Sequence, residues 1–269
     1  MNILEKIISY KKKEVENRKS LFPAKLLEQS VYFSSPCVSL KKYLKREDKL
    51  GIIAEIKRKS PSKGNINPYV NIERTSIGYM MAGASALSIL TDTEFFGGKN
   101  EDLTTARKYN YCPILRKDFI IDEYQIIEAK SIGADAILLL ANVLSVEETK
   151  KLTAFAHSFG LEVLLELHDE NELGHISAET DIVGINNRNL KDFKVNLEHS
   201  INMLNKLPKE KMKIAESGIS AALDLTILRD AGFDGFLIGE FFMRHSRPEE
   251  KCKSFILEVN ALNKKSITQ

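Results

Sequence analysis

Eight short apolar runs, each rich in Ile, Val or Leu and each too brief for a helix, recur along the chain. They are IIAEIK (52–57), ALSILT (86–91), CPILRK (112–117), AILLLA (136–141), LEVLLEL (161–167), IVGINN (182–187), MKIAES (212–217) and GFLIGE (235–240). Their hydrophobicity is near-continuous and not strictly alternating, the pattern of parallel strands covered on both faces. Amphipathic stretches lie between them, including EYQIIEAKSIG, VEETKKLTAFAHSFG and AALDLTILRDAG. Ser145 and Ser220 stand where helix N-caps are expected, and Gly133, Gly160 and Gly232 where those helices should end. A weak repeat, MAGASALSIL, SIGADAILLL and DAGFDGFLIG, spaces Gly83, Gly133 and Gly232 by 50 and 99 residues. A fifty-residue step matches two βα units, and eight units in about 250 residues predict an α/β fold with a single (β/α)8 TIM barrel. The rival, a doubly wound open sheet, calls for a glycine-rich nucleotide turn after its first strand. Here the first run leads into KRKSPSKG, and no GxGxxG occurs.

Residues 1–50 precede the first run and are expected to form an N-terminal helical extension, followed by the barrel over 51–260 and a C-terminal tail over 261–269, one domain overall. Ile3, Leu4, Ile7 and Ile8 make one helical stripe. Its small area favours packing on the barrel over a membrane-surface role, which leaves Lys11, Lys12 and Lys13 as an expected solvated face. Charge is balanced, with 39 Lys+Arg against 37 Asp+Glu for a net +2, so no global field is available to bind nucleic acid or anionic lipid. Cys37, Cys112 and Cys252 are odd in number and far apart, which argues against a disulfide framework or a zinc knot. With no signal-like leader and no apolar stretch near the roughly 20 residues a membrane helix needs, the expected compartment is the cytoplasm, with no membrane partner.

The informative anomaly is charge at strand ends. Glu55 and Lys57 share one face of the first strand, and Lys117, Glu166, Asn186, Arg188 and Glu216 end later runs. An unpaired buried charge costs several kcal/mol, so stability alone does not select these residues. In a closed parallel barrel all these ends lie on one rim, where barrel active sites are built. Glu55, Glu166 and Glu216 balance Lys57, Lys117 and Arg188, so a general acid can sit beside a general base without strong net repulsion. Which lysine does what stays open at this level. Ser217-Gly218 and Gly239-Glu240 follow the last two strands, where barrels of this kind commonly hold phosphate. The loop Lys57 to Gly64 reads as a lid or as a basic loop. The histidines show no metal-ligand spacing, so no metal is expected; His168, beside a strand end and followed by a helix-capping Asp169, suits an orienting or structural role. Cys112 reads as packing inside the third strand, and Phe95 and Phe96 as an aromatic wall or as core.

In order, AEIKRKSPSKG, LTDTEFFGG, ILRKDFIID, LLLA, VLLELHDE, GINNRNL, AESGIS and LIGE resemble indole-3-glycerol-phosphate synthase of tryptophan biosynthesis, over about Ile52 to Met243. The helices ahead of the barrel also fit, and the length resembles the single-function form. The resemblance implies a lyase that closes 1-(2-carboxyphenylamino)-1-deoxy-D-ribulose 5-phosphate to indole-3-glycerol phosphate with loss of carbon dioxide and water, using no metal or organic cofactor. It implies Lys117 as the acid at the ketone oxygen, and Glu166, Lys57 and Glu55 for the remaining proton transfers or positioning. Asn186 would be a polar orienter and Arg188 a contact on the carboxylate side. Glu216 joins the substrate-binding set. Ser217, Gly218, Gly239 and the amide of Glu240 would take the phosphate, with Lys57 and Ser60 close by, and Phe95, Phe96 and Phe119 would wall the anthranilate ring. Glu240 departs from the small residue many relatives carry; its carboxylate should therefore turn away from the phosphate. The stretch VNIERTSIGYMMAGA matches only loosely. The expected partner is a small phosphorylated substrate and the expected state a monomer, with weak self-association left open.

Two other readings compete with this one. One is a Schiff-base aldolase or phosphosugar isomerase on the same barrel, with Lys57 or Lys117 as nucleophile. The other is a nucleic-acid binder built on Lys41, Lys42, Lys45, Arg46 and the Arg58 loop; near-neutral charge and the lack of a recognition motif speak against it.

Overall fold

The computed structural model describes residues 2–188 and 196–267. In it each of the eight runs contributes one strand: β1 (Ile52–Ile56), β4 (Ala86–Leu90), β5 (Ile114–Lys117), β6 (Ala136–Leu140), β7 (Glu162–Leu167), β8 (Ile182–Asn186), β9 (Met212–Glu216) and β10 (Gly235–Ile238). These strands pair in parallel and close in the order β1-β10-β9-β8-β7-β6-β5-β4. The two remaining strands, β2 (Lys59–Ser60) and β3 (Gly64–Asn65), make a small antiparallel hairpin in the loop after β1. The closed barrel with alternating helices is the TIM barrel expected from the runs.

Strand parity decides what each run contributes. Ile52, Ala54 and Ile56 join the apolar layer between sheet and helices, whereas Ile53 belongs to a second cluster with Leu115, Leu138, Leu164, Ile214 and Leu237. That second cluster is the barrel interior, drawn from alternate positions of different strands. Each Leu or Ile so buried stabilises by about 1.5–3 kcal/mol. Continuing the inward parity toward the C-terminal ends replaces these residues by Glu55, Lys117, Glu166, Asn186, Glu216 and Gly239. The barrel is therefore greasy at its lower end and charged at its upper rim.

Three helices precede the barrel: α1 (Ile3–Leu21), α2 (Ala24–Leu27) and α3 (Leu40–Leu44). Leu40 and Leu44 of α3 join the interior cluster, and Leu44 approaches Gly235 at the start of β10. Thus α3 closes the lower end. After the strands come α4 (Ile72–Ala82), α5 (Asn100–Tyr109), α6 (Glu123–Ser131), α7 (Val146–Ser158), α8 (Leu197–Leu204), α9 (Ala222–Ala231), α10 (Glu240–Met243) and α11 (Pro248–Ile267), with a 3-10 turn at Glu170–His175. Ser145 caps α7 in a reciprocal capping box with Glu148. Gly133, Gly160 and Gly232 all carry positive φ beyond helix ends, where a Cβ would be strained.

Three local expectations need correction. Ala221, not Ser220, is the N-cap of α9; Asp224 reaches back from the first turn to accept the backbone N–H of both Ser220 and Ala221, at 2.9 and 2.8 Å. Cys112 is buried as packing, but in the turn ahead of β5, because Pro113 has no N–H to donate to the ladder. Lys12 and Lys13 are exposed, but Lys11 is buried, for reasons given below. The basic cluster ahead of the barrel is already compensated in part: Lys41 pairs with Asp181 at 2.6 Å and Arg46 with Asp48 at 2.6 Å. Asn189 and Leu190, the end of the GINNRNL motif, and the last two residues of the tail lie outside the described residues.

Candidate active site

The charged upper rim surrounds a cavity of about 450 Å³. Lys117 lines it, and its ammonium donates to Glu166 Oε2 at 2.7 Å and to Glu216 Oε2 at 2.5 Å. Register makes this meeting possible. Lys117 ends β5, Glu166 lies two strands away on β7, and Gly184 on β8 is level with Glu166. A Cβ at Gly184 would stand 2.3 Å from Glu216 Oε1, so the missing side chain gives Glu216 room to lean across β8. Gly239 does the same for Glu55: a Cβ there would meet its Oε1 at 2.3 Å. Glu55 in turn accepts from Lys57 Nζ at 2.6 Å.

Glu166 is held from several sides. Asn186 Nδ2 donates to its Oε1 at 2.8 Å, and Asn186 Oδ1 accepts the N–H of Arg188 at 3.0 Å, which fixes the amide's orientation. His168 Nε2 lies 3.1 Å from the same Oε1. Burial alone would raise the Glu166 pKa, but Lys117 and His168 outweigh it and hold the group ionised, well below the usual carboxylate range. Burial works to lower Lys117, and the carboxylates of Glu166, Glu216 and Glu55 reverse the sign, so it keeps its proton. Glu216 is the odd member. Burial and the charge of Glu166 push it up to about 8 despite Lys117. Its Oε1 has no hydrogen-bond partner among the described residues.

This arrangement has a measurable consequence for stability. A carboxyl whose pKa rises on folding binds more protons in the native state than in the unfolded state across the interval between its two pKa values. Glu216 therefore lowers stability as pH climbs from about 4.5 to about 8. Glu216→Gln is expected to flatten the pH dependence of the melting temperature in that interval and to melt above the parent at its alkaline end. Melting curves at both ends check this; equal slopes for the two proteins would refute the assignment.

The loops that follow β9 and β10 border the same cavity. Ser217 has φ 67 and Gly218 φ 77, left-handed values on consecutive residues, and the Ser217 conformation costs of order 1–3 kcal/mol. Asn187, which sequence reasoning passed over, holds this turn: its Nδ2 donates to Ser217 O at 2.7 Å and its N–H to Glu216 O at 2.8 Å. Glu240 is not a bare anion. Its carboxylate pairs with Arg188 at 2.8 Å and with Arg244. Burial would raise its pKa, but Arg188 and Arg244 lead the groups that lower it. Arg188 thereby reaches the first residue of α10, and Ser62 in the loop after β1, which a purely carboxylate-side role did not anticipate. The loop after β1 is anchored, with Arg58 paired to Asp102 and Lys59 Nζ on Glu94 O at 2.6 Å.

Of the residues singled out from sequence, Glu55, Lys57, Ser60, Phe96, Lys117, Phe119, Glu166, Asn186, Arg188, Glu216, Ser217, Gly218, Gly239 and Glu240 all line the cavity. Phe95 does not. It stacks edge-on against Tyr10 of α1 at 5.8 Å, so the wall is Phe96 with Phe119, ring centroids 5.9 Å apart. His168 lines the cavity as well, and Ile3, Leu4 and Ile7 of α1 form part of its mouth. The stripe on α1 was visible in the sequence, but its destination was not.

The profile of the indole-3-glycerol phosphate synthase family matches residues 4–255. The chain belongs to the indole-3-glycerol phosphate synthase family. Among similar proteins, the indole-3-glycerol phosphate synthase of Bacteroides thetaiotaomicron is 46% identical over 96% of this chain and 99% of its own. That of Campylobacter jejuni subsp. doylei is 41% identical over 94% and 100%, and that of Burkholderia ambifaria 40% identical over 93% and 97%. Among solved structures, a mutant tryptophan synthase α-subunit from Pyrococcus furiosus superposes with a TM-score of 0.61 at 15% identity, covering 80% of this chain and 99% of that one. At that identity the likeness concerns the barrel alone. This synthase-family chain is an enzyme, and no helix among its described residues is long and apolar enough to cross a membrane.

Proposed function

We propose that the chain closes 1-(2-carboxyphenylamino)-1-deoxy-D-ribulose 5-phosphate to indole-3-glycerol phosphate, carbon dioxide and water, in tryptophan biosynthesis. The observation that carries this reading is the Lys117 ammonium clamped between Glu166 and Glu216 inside a cavity with aromatic rings on one wall and glycine loops on another. Attack of an aromatic carbon on a ketone leaves negative charge on oxygen, and a protonated, buried lysine is placed to neutralise it. Departure of carbon dioxide restores the ring's aromaticity. Loss of the new hydroxyl as water then needs a second proton donor and a base for the proton on the ring nitrogen. Lys57, paired with Glu55, supports the first role, and ionised Glu166, oriented by Asn186, the second. The Ser217-Gly218 and Gly239-Glu240 backbones support phosphate binding, with Lys57 and Ser60 lining the same cavity.

Because the surrounding acidic groups, Glu166 foremost, outweigh burial and keep Lys117 protonated, it is poorly suited to be the amine nucleophile of a Schiff-base aldolase. The free thiols Cys37, Cys112 and Cys252 suit a reducing cytoplasm. Compensation of Lys41 and Arg46 by neighbouring aspartates supports the absence of a nucleic-acid partner. Purified protein is expected to convert the anilino-ribulose phosphate to a fluorescent indole product with release of carbon dioxide; borohydride trapping of a sugar phosphate on a lysine, with no indole formed, would overturn the reading.

A further inference from the structure

Lys11 is 1% exposed, on a helix whose neighbouring Lys12 and Lys13 face solvent. Its ammonium lies 2.9 Å from Asp92 Oδ2, 2.9 Å from Asp118 Oδ1 and 3.1 Å from Glu14 Oε2. Burying a cation is unfavourable unless partners of opposite sign surround it, and here they do. Asp118 directly follows Lys117; its Oδ1 also accepts the N–H of Phe119 at 2.8 Å, and its Oδ2 accepts Thr91 Oγ1 at 2.5 Å. Asp92 Oδ1 accepts the backbone N–H groups of Phe95 and Phe96 at 2.7 and 3.1 Å. One ammonium thus ties α1 to the segment bearing Lys117 and Phe119 and to the segment bearing Phe96. One turn earlier on α1, Ile7 lines the cavity itself.

We propose that Lys11 is a positioning residue for the ring closure: through Asp118 and Asp92 it keeps Lys117, the Phe96–Phe119 wall and the apolar face of α1 in register around the substrate. The proposal rests on the reading of Lys117 and the two rings given above. Arg18, farther along α1 and paired with Glu128 at 2.5 Å, anchors the same helix and reaches Asp118 only indirectly, through Glu128 and Arg116. It supplies the comparison that separates positioning from mere attachment.

The experiment measures melting temperature, kcat and KM for K11M, K11R, R18M and the double variant K11M/D92N. K11M should lose roughly 10²-fold in kcat/KM, with KM raised, the scale expected when reacting groups shift by about 1 Å. R18M should lower the melting temperature while leaving KM and kcat near the parent values. K11M/D92N should regain roughly tenfold of the loss, because one uncompensated carboxylate is gone while the amide oxygen still receives the Phe95 and Phe96 N–H groups. Should K11M fail to fold, K11R decides: it keeps the charge but moves it, and KM should rise. Unchanged KM and kcat in soluble K11M or in K11R, or K11M/D92N no better than K11M, would overturn the proposal. An inactive parent or a fully active K117M would instead sink the underlying reading of the site.

Discussion

Lys117→Met is expected to lower kcat by roughly 10²–10⁴, the range for loss of a general acid, with a smaller effect on KM. The substitution keeps an unbranched chain of similar length, so the cavity's shape is largely preserved. What disappears is the proton donor and the countercharge for Glu166 and Glu216, which lie 2.7 and 2.5 Å from the ammonium. Two buried carboxylates would then share a site with no cation between them, and Glu166 should bind a proton more readily than in the parent. The variant should therefore also move the acid limb of its residual activity to higher pH. Steady-state kinetics from acid to alkaline pH, with circular dichroism to confirm folding, checks both parts; turnover within a few-fold of the parent would refute the assignment of the acid.

Gly239→Ala is the second large effect expected, and it acts without removing a functional group. A Cβ at position 239 would stand 2.3 Å from Glu55 Oε1, 2.9 Å from its Cδ and 3.0 Å from its Cβ. The last of these is the root of the side chain, so a rotamer change at the tip does not relieve the clash. Glu55 must move, and Lys57 with it, since the two are joined at 2.6 Å. The same residue opens the loop assigned to the phosphate. Displacement of about 1 Å in positioning groups is worth roughly 10²-fold in rate, and loss of phosphate contacts should raise KM as well. Kinetics of the variant with substrate and with inorganic phosphate as competitor give the test. Parent-like KM and kcat would mean that the loop relaxes freely and that Glu55 needs no fixed place.

Much of this was legible in the primary structure because a barrel strand has a period of two. IIAEIK shows Glu55 and Lys57 on the face of Ile53, and MKIAES shows Glu216 on the face of Ile214, so each charge's inward parity follows from its own run. Convergence follows from closure, since a closed parallel sheet puts every C-terminal end on one rim. What escaped were contacts between segments far apart in sequence. Phe95 and Phe96 are adjacent and chemically alike, yet one stacks on Tyr10 and the other lines the cavity. Lys11 read as one of three surface lysines because helical periodicity records an apolar stripe and carries no trace of Asp92 and Asp118. Gly184 and Asn187 shape the site by leaving space and by holding a turn, roles that a residue type alone does not announce.

By itself, then, the order of residues determined the strands, their number, the inward parity of the charges and the family to which the chain belongs, because each rests on local periodicity or on motifs a few residues long. Tertiary structure alone decided which carboxylate faces which cation, and hence why Glu166 stays ionised while Glu216 holds its proton to about pH 8. Those states depend on burial and on charges within a few ångströms, and such distances exist only once the barrel has closed.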